Sequence, residues 1–162
     1  MRKQVVIVAP HCDDEIIGTF TVLENARHPI IVFTDIDEDR GGYRRKCLTE
    51  YYCSEWRDGH MGFYPQLPSS LINKKEFKYY FPDPIYELHP EHRKQGAFGE
   101  ELLRKGYDVT FYCTNMTAPY IHKVKNWEKK RELLDMWYYD KSSLWEYDHK
   151  YFLFEGYCKW IL

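Results

Sequence analysis

The sequence predicts an α/β fold, a Rossmann-like three-layer domain built on a mostly parallel sheet. Two short runs, at 4–9 and 29–33, are continuously apolar and rich in β-branched residues. That pattern suits strands buried on both faces, as in parallel sheets. Between them the apolar spacing becomes helical, so strand, helix and strand follow one another as a βαβ unit with a right-handed crossover. The chain of 162 residues shows no linker, repeat or low-complexity segment, so a single domain over 1–162 is expected.

Each element has its own signal. The first strand ends at Pro10, and Ile16, Ile17, Phe20 and Leu23 then mark a helix running to about Arg27, capped by Asp13 or Asp14. Residues 29–33 form the second strand, followed by a polar loop from Asp35 to Gly42. A helix is expected over 43–56. From Arg57 to Pro84 six glycines and prolines interrupt any long element, leaving room for a short strand at 78–81 or 85–88. Pro90 opens a helix that Gly106 closes. Residues 108–113 read as another strand and 125–138 as a charged helix. The stretch 151–161 is compatible with helix or strand.

Bulk properties narrow the functional classes. With 23 Lys and Arg against 25 Asp and Glu, the net charge is -2, which lacks the basic excess that drives nucleic-acid binding. Mixed runs such as Arg44-Arg45-Lys46 and Glu128-Lys129-Lys130-Arg131 read as solvated helix faces. No stretch approaches the ~20 apolar residues of a membrane span, and the run at 5–9 is too short for a signal-peptide core. The cysteines, Cys12, Cys47, Cys53, Cys113 and Cys158, are odd in number and form no Cys-x-x-Cys pair. A reduced, cytoplasmic setting is therefore expected. The 15 Tyr and 5 Trp suit sugar stacking, although for any single aromatic a place in the core is the more economical reading.

Two clusters carry chemistry. His11-Cys12-Asp13-Asp14-Glu15 lies directly beyond the first strand, where open α/β sheets bind ligands. His89-Pro90-Glu91-His92 opens a helix, with His89 as cap and His92 in the first turn. His11, Asp14 and His92 together make an N,O,N set suited to zinc with a position left for water. Asp13 is placed to take a proton from that water, and His89 to donate to an oxyanion. Either cluster alone is commonplace; both at loop-to-helix boundaries of one α/β domain are not. His28, His60, His122 and His149 lack such partners and read as structural or exposed.

At these residues the chain resembles the LmbE-like, or PIG-L-type, zinc-dependent N-deacetylases. That family opens with a strand followed by His-Pro-Asp-Asp-Glu, matched by Pro10-His11-Cys12-Asp13-Asp14-Glu15, and later carries His-Pro-Asp-His-Arg, matched by His89-Pro90-Glu91-His92-Arg93 with Gly96 after it. The resemblance implies His11, Asp14 and His92 as metal ligands, Asp13 as general base and His89 as oxyanion stabiliser or acid. It implies Arg44 as a substrate-binding residue and, more weakly, Asp58. The cofactor implied is Zn2+, with another divalent transition metal also suited to the set. The function implied is hydrolytic removal of an acetyl or related acyl group from an amino sugar. The partner would be a small N-acetylated sugar or glycoside rather than nucleic acid or membrane, and association into a homo-oligomer stays open. The alternatives are a zinc amidase or esterase acting on a non-sugar acyl compound, and a non-catalytic metal-binding relative. A flavodoxin-like nucleotide binder is remote, since no Gly-rich loop follows the first strand. Departures from the family pattern are Cys12 for Pro, Glu91 for Asp and Cys47 for a Glu after Arg44, together with a shorter chain between the motifs.

Overall fold

In the computed structural model, residues 2–35 and 60–159 are described. Their centre is a seven-stranded sheet in the order β3-β2-β1-β4-β5-β7-β6. The strands are β1 (Gln4–Ala9), β2 (Ile30–Phe33), β3 (His60–Phe63), β4 (Phe77–Pro82), β5 (Asp108–Cys113), β6 (Tyr120–Lys123) and β7 (Phe154–Tyr157). β1 pairs in parallel with both β2 and β4, β3 extends the sheet beyond β2, and β5 extends it beyond β4. β7 alone runs against the other strands, pairing antiparallel with β5 on one side and β6 on the other. The sheet is therefore mixed but mostly parallel, as the apolar runs at 4–9 and 30–33 require.

The pleat divides the core. Ile7 and Ala9 of β1 face one layer, with Ile16, Ile17, Phe20 and Leu23 of α1 (Asp14–Asn25) and Leu133 and Leu134 of α3 (Trp127–Trp137). The short helices α4 (Ser143–Tyr147) and α5 (Lys150–Leu153) add Trp145 and Phe152 to the same layer. Val6 and Val8 face the other side, where Leu102 of α2 (Pro90–Arg104) packs with Tyr79, Phe81 and Phe111. Helices thus cover both faces of the sheet. Many aromatics belong to this core, and their hydroxyls find partners: Tyr112 donates to the Val8 carbonyl at 2.7 Å and Tyr79 to that of Leu71 at 2.8 Å.

Several expectations shift in detail. Helix α1 ends at Asn25, and α3 is slightly shorter than 125–138. The alternatives at 78–81 and 85–88 resolve in favour of β4, because Asp83 caps a turn through Ile85 and Tyr86 instead. Residues 151–161 use both conformations, α5 passing directly into β7. The expected helix at 43–56, with Cys47 and Cys53, lies outside the described residues. The solvated reading of the run 128–131 fails at Lys130, which is fully buried. Helix α1 breaks its regular geometry at Thr19, and its freed Ile17 carbonyl accepts from Lys130 Nζ at 2.6 Å. The Thr21 amide donates to Glu155 at 3.0 Å, and Lys130 and Glu155 lie 3.4 Å apart. A buried ion pair therefore spans the helix break, with backbone groups satisfying its remaining valences. Among the described residues no helix is long and apolar enough to cross a membrane.

Candidate metal centre

From β1 the chain proceeds through β2 to β3 on one side of the sheet, whereas β4 and β5 lie on the other. The order reverses between β1 and β4, and the crevice beyond their carboxyl ends is where such sheets place ligands. Both clusters come from there. Residues 11–14 follow β1, and residues 83–92 follow β4.

Beyond β1 the chain makes a tight turn closed by the Asp14 amide donating to the His11 carbonyl at 3.2 Å. Asp14 Oδ2 in turn accepts from the His11 amide at 2.7 Å, which fixes the carboxylate against the His11 ring. Beyond β4, His89 caps α2, its Nδ1 accepting from the Glu91 amide at 3.2 Å, with Pro90 in the first turn. Gly96, one turn past His92, lets α2 rest on the end of β4. A Cβ there would lie 2.6 Å from the Pro82 carbonyl oxygen and 2.7 Å from Pro84 N. That close approach brings His92 across to the β1 turn.

The outcome is a compact triangle. His92 Nε2 lies 3.0 Å from Asp14 Oδ2 and 3.0 Å from His11 Nδ1, and His11 Nδ1 lies 3.3 Å from Asp14 Oδ2. Tetrahedral ligands at zinc bond lengths stand about 3.3 Å from one another, so these edges match a shared cation. His89 stands at the exposed rim, its ring centroid 4.6 Å from that of His11 and 5.2 Å from that of His92. His11, His89 and His92, with ligand atoms all within 4.8 Å of one another, could hold a metal ion.

Outer carboxylates support both inner histidines. His92 Nδ1 sits 3.1 Å from Glu87 Oε1, near enough for charge pairing although not aligned as a hydrogen bond. Glu87 is itself fixed by the Thr114 amide at 2.7 Å and the Thr114 hydroxyl at 3.0 Å. His11 Nε2 lies 3.5 Å from Asp35, immediately beyond β2. A carboxylate behind each imidazole is the usual support of a metal-binding histidine. Neither Glu87 nor Asp35 belongs to a motif. Asp35 and Thr114 do share one sign, a polar residue within two positions of the end of a parallel strand.

Charge in the cluster is strongly skewed. Burial alone would raise the Asp14 pKa, but His92 and His11 outweigh it and hold the carboxyl well below its usual range. Burial likewise opposes a charged His92, yet Asp14 and Glu87 push that imidazole up to about 10. Asp13, buried and beside Asp14, is raised to about 8, with Lys141 pulling the other way. His89 is lowered by burial, then by His11 and His92, so its ring stays neutral near pH 7.

Comparison with protein families, curated proteins and solved structures gives no match. The site therefore stands on its geometry. His11, Asp14, His89 and His92 lie together, Asp13 stands in the same turn with its carboxylate 3.4 Å from Lys141, and Arg44 and Asp58 lie outside the described residues. Three further contributors, Glu87, Asp35 and Lys141, went unrecognised in the sequence.

Proposed function

We propose that the chain is a zinc-dependent hydrolase that removes an N-acetyl or related acyl group from an amino-sugar-like substrate, in the manner of the LmbE-like or PIG-L-type deacetylases. The observation that carries this reading is the mutual approach of His11 Nδ1, Asp14 Oδ2 and His92 Nε2 within 3.0–3.3 Å, with the Asp13 carboxyl in the same turn. The strand order β3-β2-β1-β4-β5 and the place of the site at the order reversal support a Rossmann-like classification.

The donor set fits a borderline divalent cation. Two imidazoles and one carboxylate suit zinc, while iron, manganese and cobalt accept the same ligands. The buried His92 Nδ1, facing Glu87, leaves Nε2 to the cluster. A cation held there supplies Lewis-acid polarisation of the amide carbonyl and acidifies water.

The chain's own groups supply the remaining steps. Asp13 takes the proton of the attacking water. Burial and then the neighbouring Asp14 raise its pKa to about 8, and a cation that neutralises Asp14 would lower it towards the range a general base needs. Because His89 Nδ1 accepts from Glu91, its neutral ring carries the proton on Nε2. That N–H at the rim can donate to the oxyanion as the carbonyl carbon becomes tetrahedral. When the C–N bond breaks, the proton held by Asp13 passes to the leaving amine, giving a free amine and a carboxylate.

Zinc-supplemented protein incubated with a panel of N-acetylated sugars and glycosides is expected to release primary amine from at least one. The release should stop in Asp13→Asn. Acyl release only from non-sugar compounds would move the substrate class to the amidase or esterase alternative. No turnover by zinc-loaded protein on either class would refute the catalytic reading.

A further inference from the structure

The turn that carries the centre is strained where it matters. His11 to Asp14 form a β-turn whose third residue, Asp13, has φ 134° and ψ -25°. A positive φ is costly for a residue with a Cβ and persists only where surrounding contacts over-determine it. The low-cost escape is a flip of the central peptide, Cys12–Asp13, which interconverts turn types and returns the third residue to negative φ.

Both polar groups of that peptide are taken. Its carbonyl, on Cys12, accepts from Lys141 Nζ at 2.9 Å, and its N–H, on Asp13, donates to Glu15 Oε2 at 3.0 Å. The other Glu15 oxygen accepts from the Tyr138 hydroxyl, and Glu15 and Tyr138 are both buried. Lys141 Nζ also reaches Asp13 Oδ2 at 3.4 Å. Tyr138 precedes and Lys141 ends one short 3-10 turn, Tyr139–Lys141, directly after α3. A single remote segment therefore holds the oxygen side of the peptide directly and the nitrogen side through Glu15.

We propose that Tyr138 and Lys141 are positioning residues, a clamp that prevents the Cys12–Asp13 peptide from flipping and so keeps Asp13 and its neighbours His11 and Asp14 aimed at one centre. The positional part stands on the hydrogen bonds alone; its functional meaning rests on the hydrolytic reading above.

The test uses the full chain and zinc. In metal-free protein, Tyr138→Phe and Lys141→Met are each expected to speed amide exchange across residues 10–17 about tenfold, the order expected from losing one hydrogen bond to a charged or buried partner. Exchange in β4 should be unchanged, and Lys141→Arg should restore wild-type protection. Both variants should also bind zinc more weakly in a chelator competition. For Lys141→Met that sign is discriminating, since loss of a nearby ammonium would by charge alone tighten cation binding. Unchanged exchange at 10–17, or an increase shared equally by β4, overturns the clamp. A wild-type protein that binds no zinc refutes the hydrolytic centre, while the exchange comparison still decides the clamp.

Discussion

Gly96→Ala is expected to damage the site far more than the fold. The added Cβ would meet only backbone, at 2.6 Å from the Pro82 carbonyl oxygen and 2.7–2.8 Å from Pro84 N and Cα, against 3.4 Å for an ordinary contact. Neither partner is a flexible side-chain tip, so α2 must lift by about 0.8 Å. Alanine favours the helix by about 1 kcal/mol over glycine, which offsets part of the ~1–3 kcal/mol of overpacking. The net loss of stability should therefore be small. The same lift, one turn from His92, stretches the 3.0 Å edges from His92 Nε2 to His11 and Asp14. Metal sites tolerate only ~0.2 Å in ligand distance. Zinc affinity, read by chelator competition beside thermal unfolding, should fall about tenfold to a hundredfold, the range that disturbing the support of a metal ligand costs. Wild-type zinc affinity in a folded Gly96→Ala protein would refute the idea that this approach of α2 sets the site.

Three other outcomes follow from the same geometry. Glu87→Gln keeps the acceptor facing Thr114 but removes the charge behind His92, and should weaken zinc binding about tenfold to a hundredfold without unfolding the chain; unchanged affinity in a competition titration would exclude Glu87 as a support. Asp13→Asn should retain zinc yet lose about 10²–10⁴ in turnover, the usual worth of a general base, and activity surviving in the zinc-loaded variant would place the base elsewhere. The third concerns pH. His92 is raised to about 10 in the folded, metal-free protein, so its contribution to stability is complete below its ordinary value of 6.5 and lost as pH rises through about 10. Asp13, raised to about 8, keeps its proton in the fold after the unfolded chain has lost it, and likewise costs stability as pH rises from about 4 to 8. Chelated protein should therefore melt at lower temperature at pH 8 than at pH 6. Zinc binding must displace the His92 proton, so the zinc-induced rise in melting temperature should grow over the same interval. A zinc effect independent of pH would contradict the assignment of His92.

What could be read from the sequence was local. The β1 run, the α1 periodicity and the Pro90 start of α2 each place a motif at a strand end or helix start, and these elements recur at nearly the expected bounds. The five central site residues were legible for the same reason: each cluster lies within four or five consecutive positions. The short strands β3 and β6 were not, because their four residues carry neither the continuous apolar run that marks β2 nor enough alternation to signal a strand. The solvated reading of Lys130 fails because its helix is polar on most of its surface, whereas its partners, the Ile17 carbonyl freed at the break in α1 and the Glu155 carboxylate of β7, are distant in sequence. Lys141 illustrates the general difficulty. It touches the Cys12 carbonyl from 129 positions away, and no periodicity or spacing encodes that contact.

The most direct test of the metal centre is elemental analysis of the purified protein after zinc is offered and excess removed by dialysis without chelator, beside His92→Ala. About one zinc per chain in the wild type, lost in a variant whose circular dichroism is unchanged, is the expected result. A wild type that retains no zinc, or a His92→Ala variant that retains it fully, would contradict the centre built from His11, Asp14 and His92.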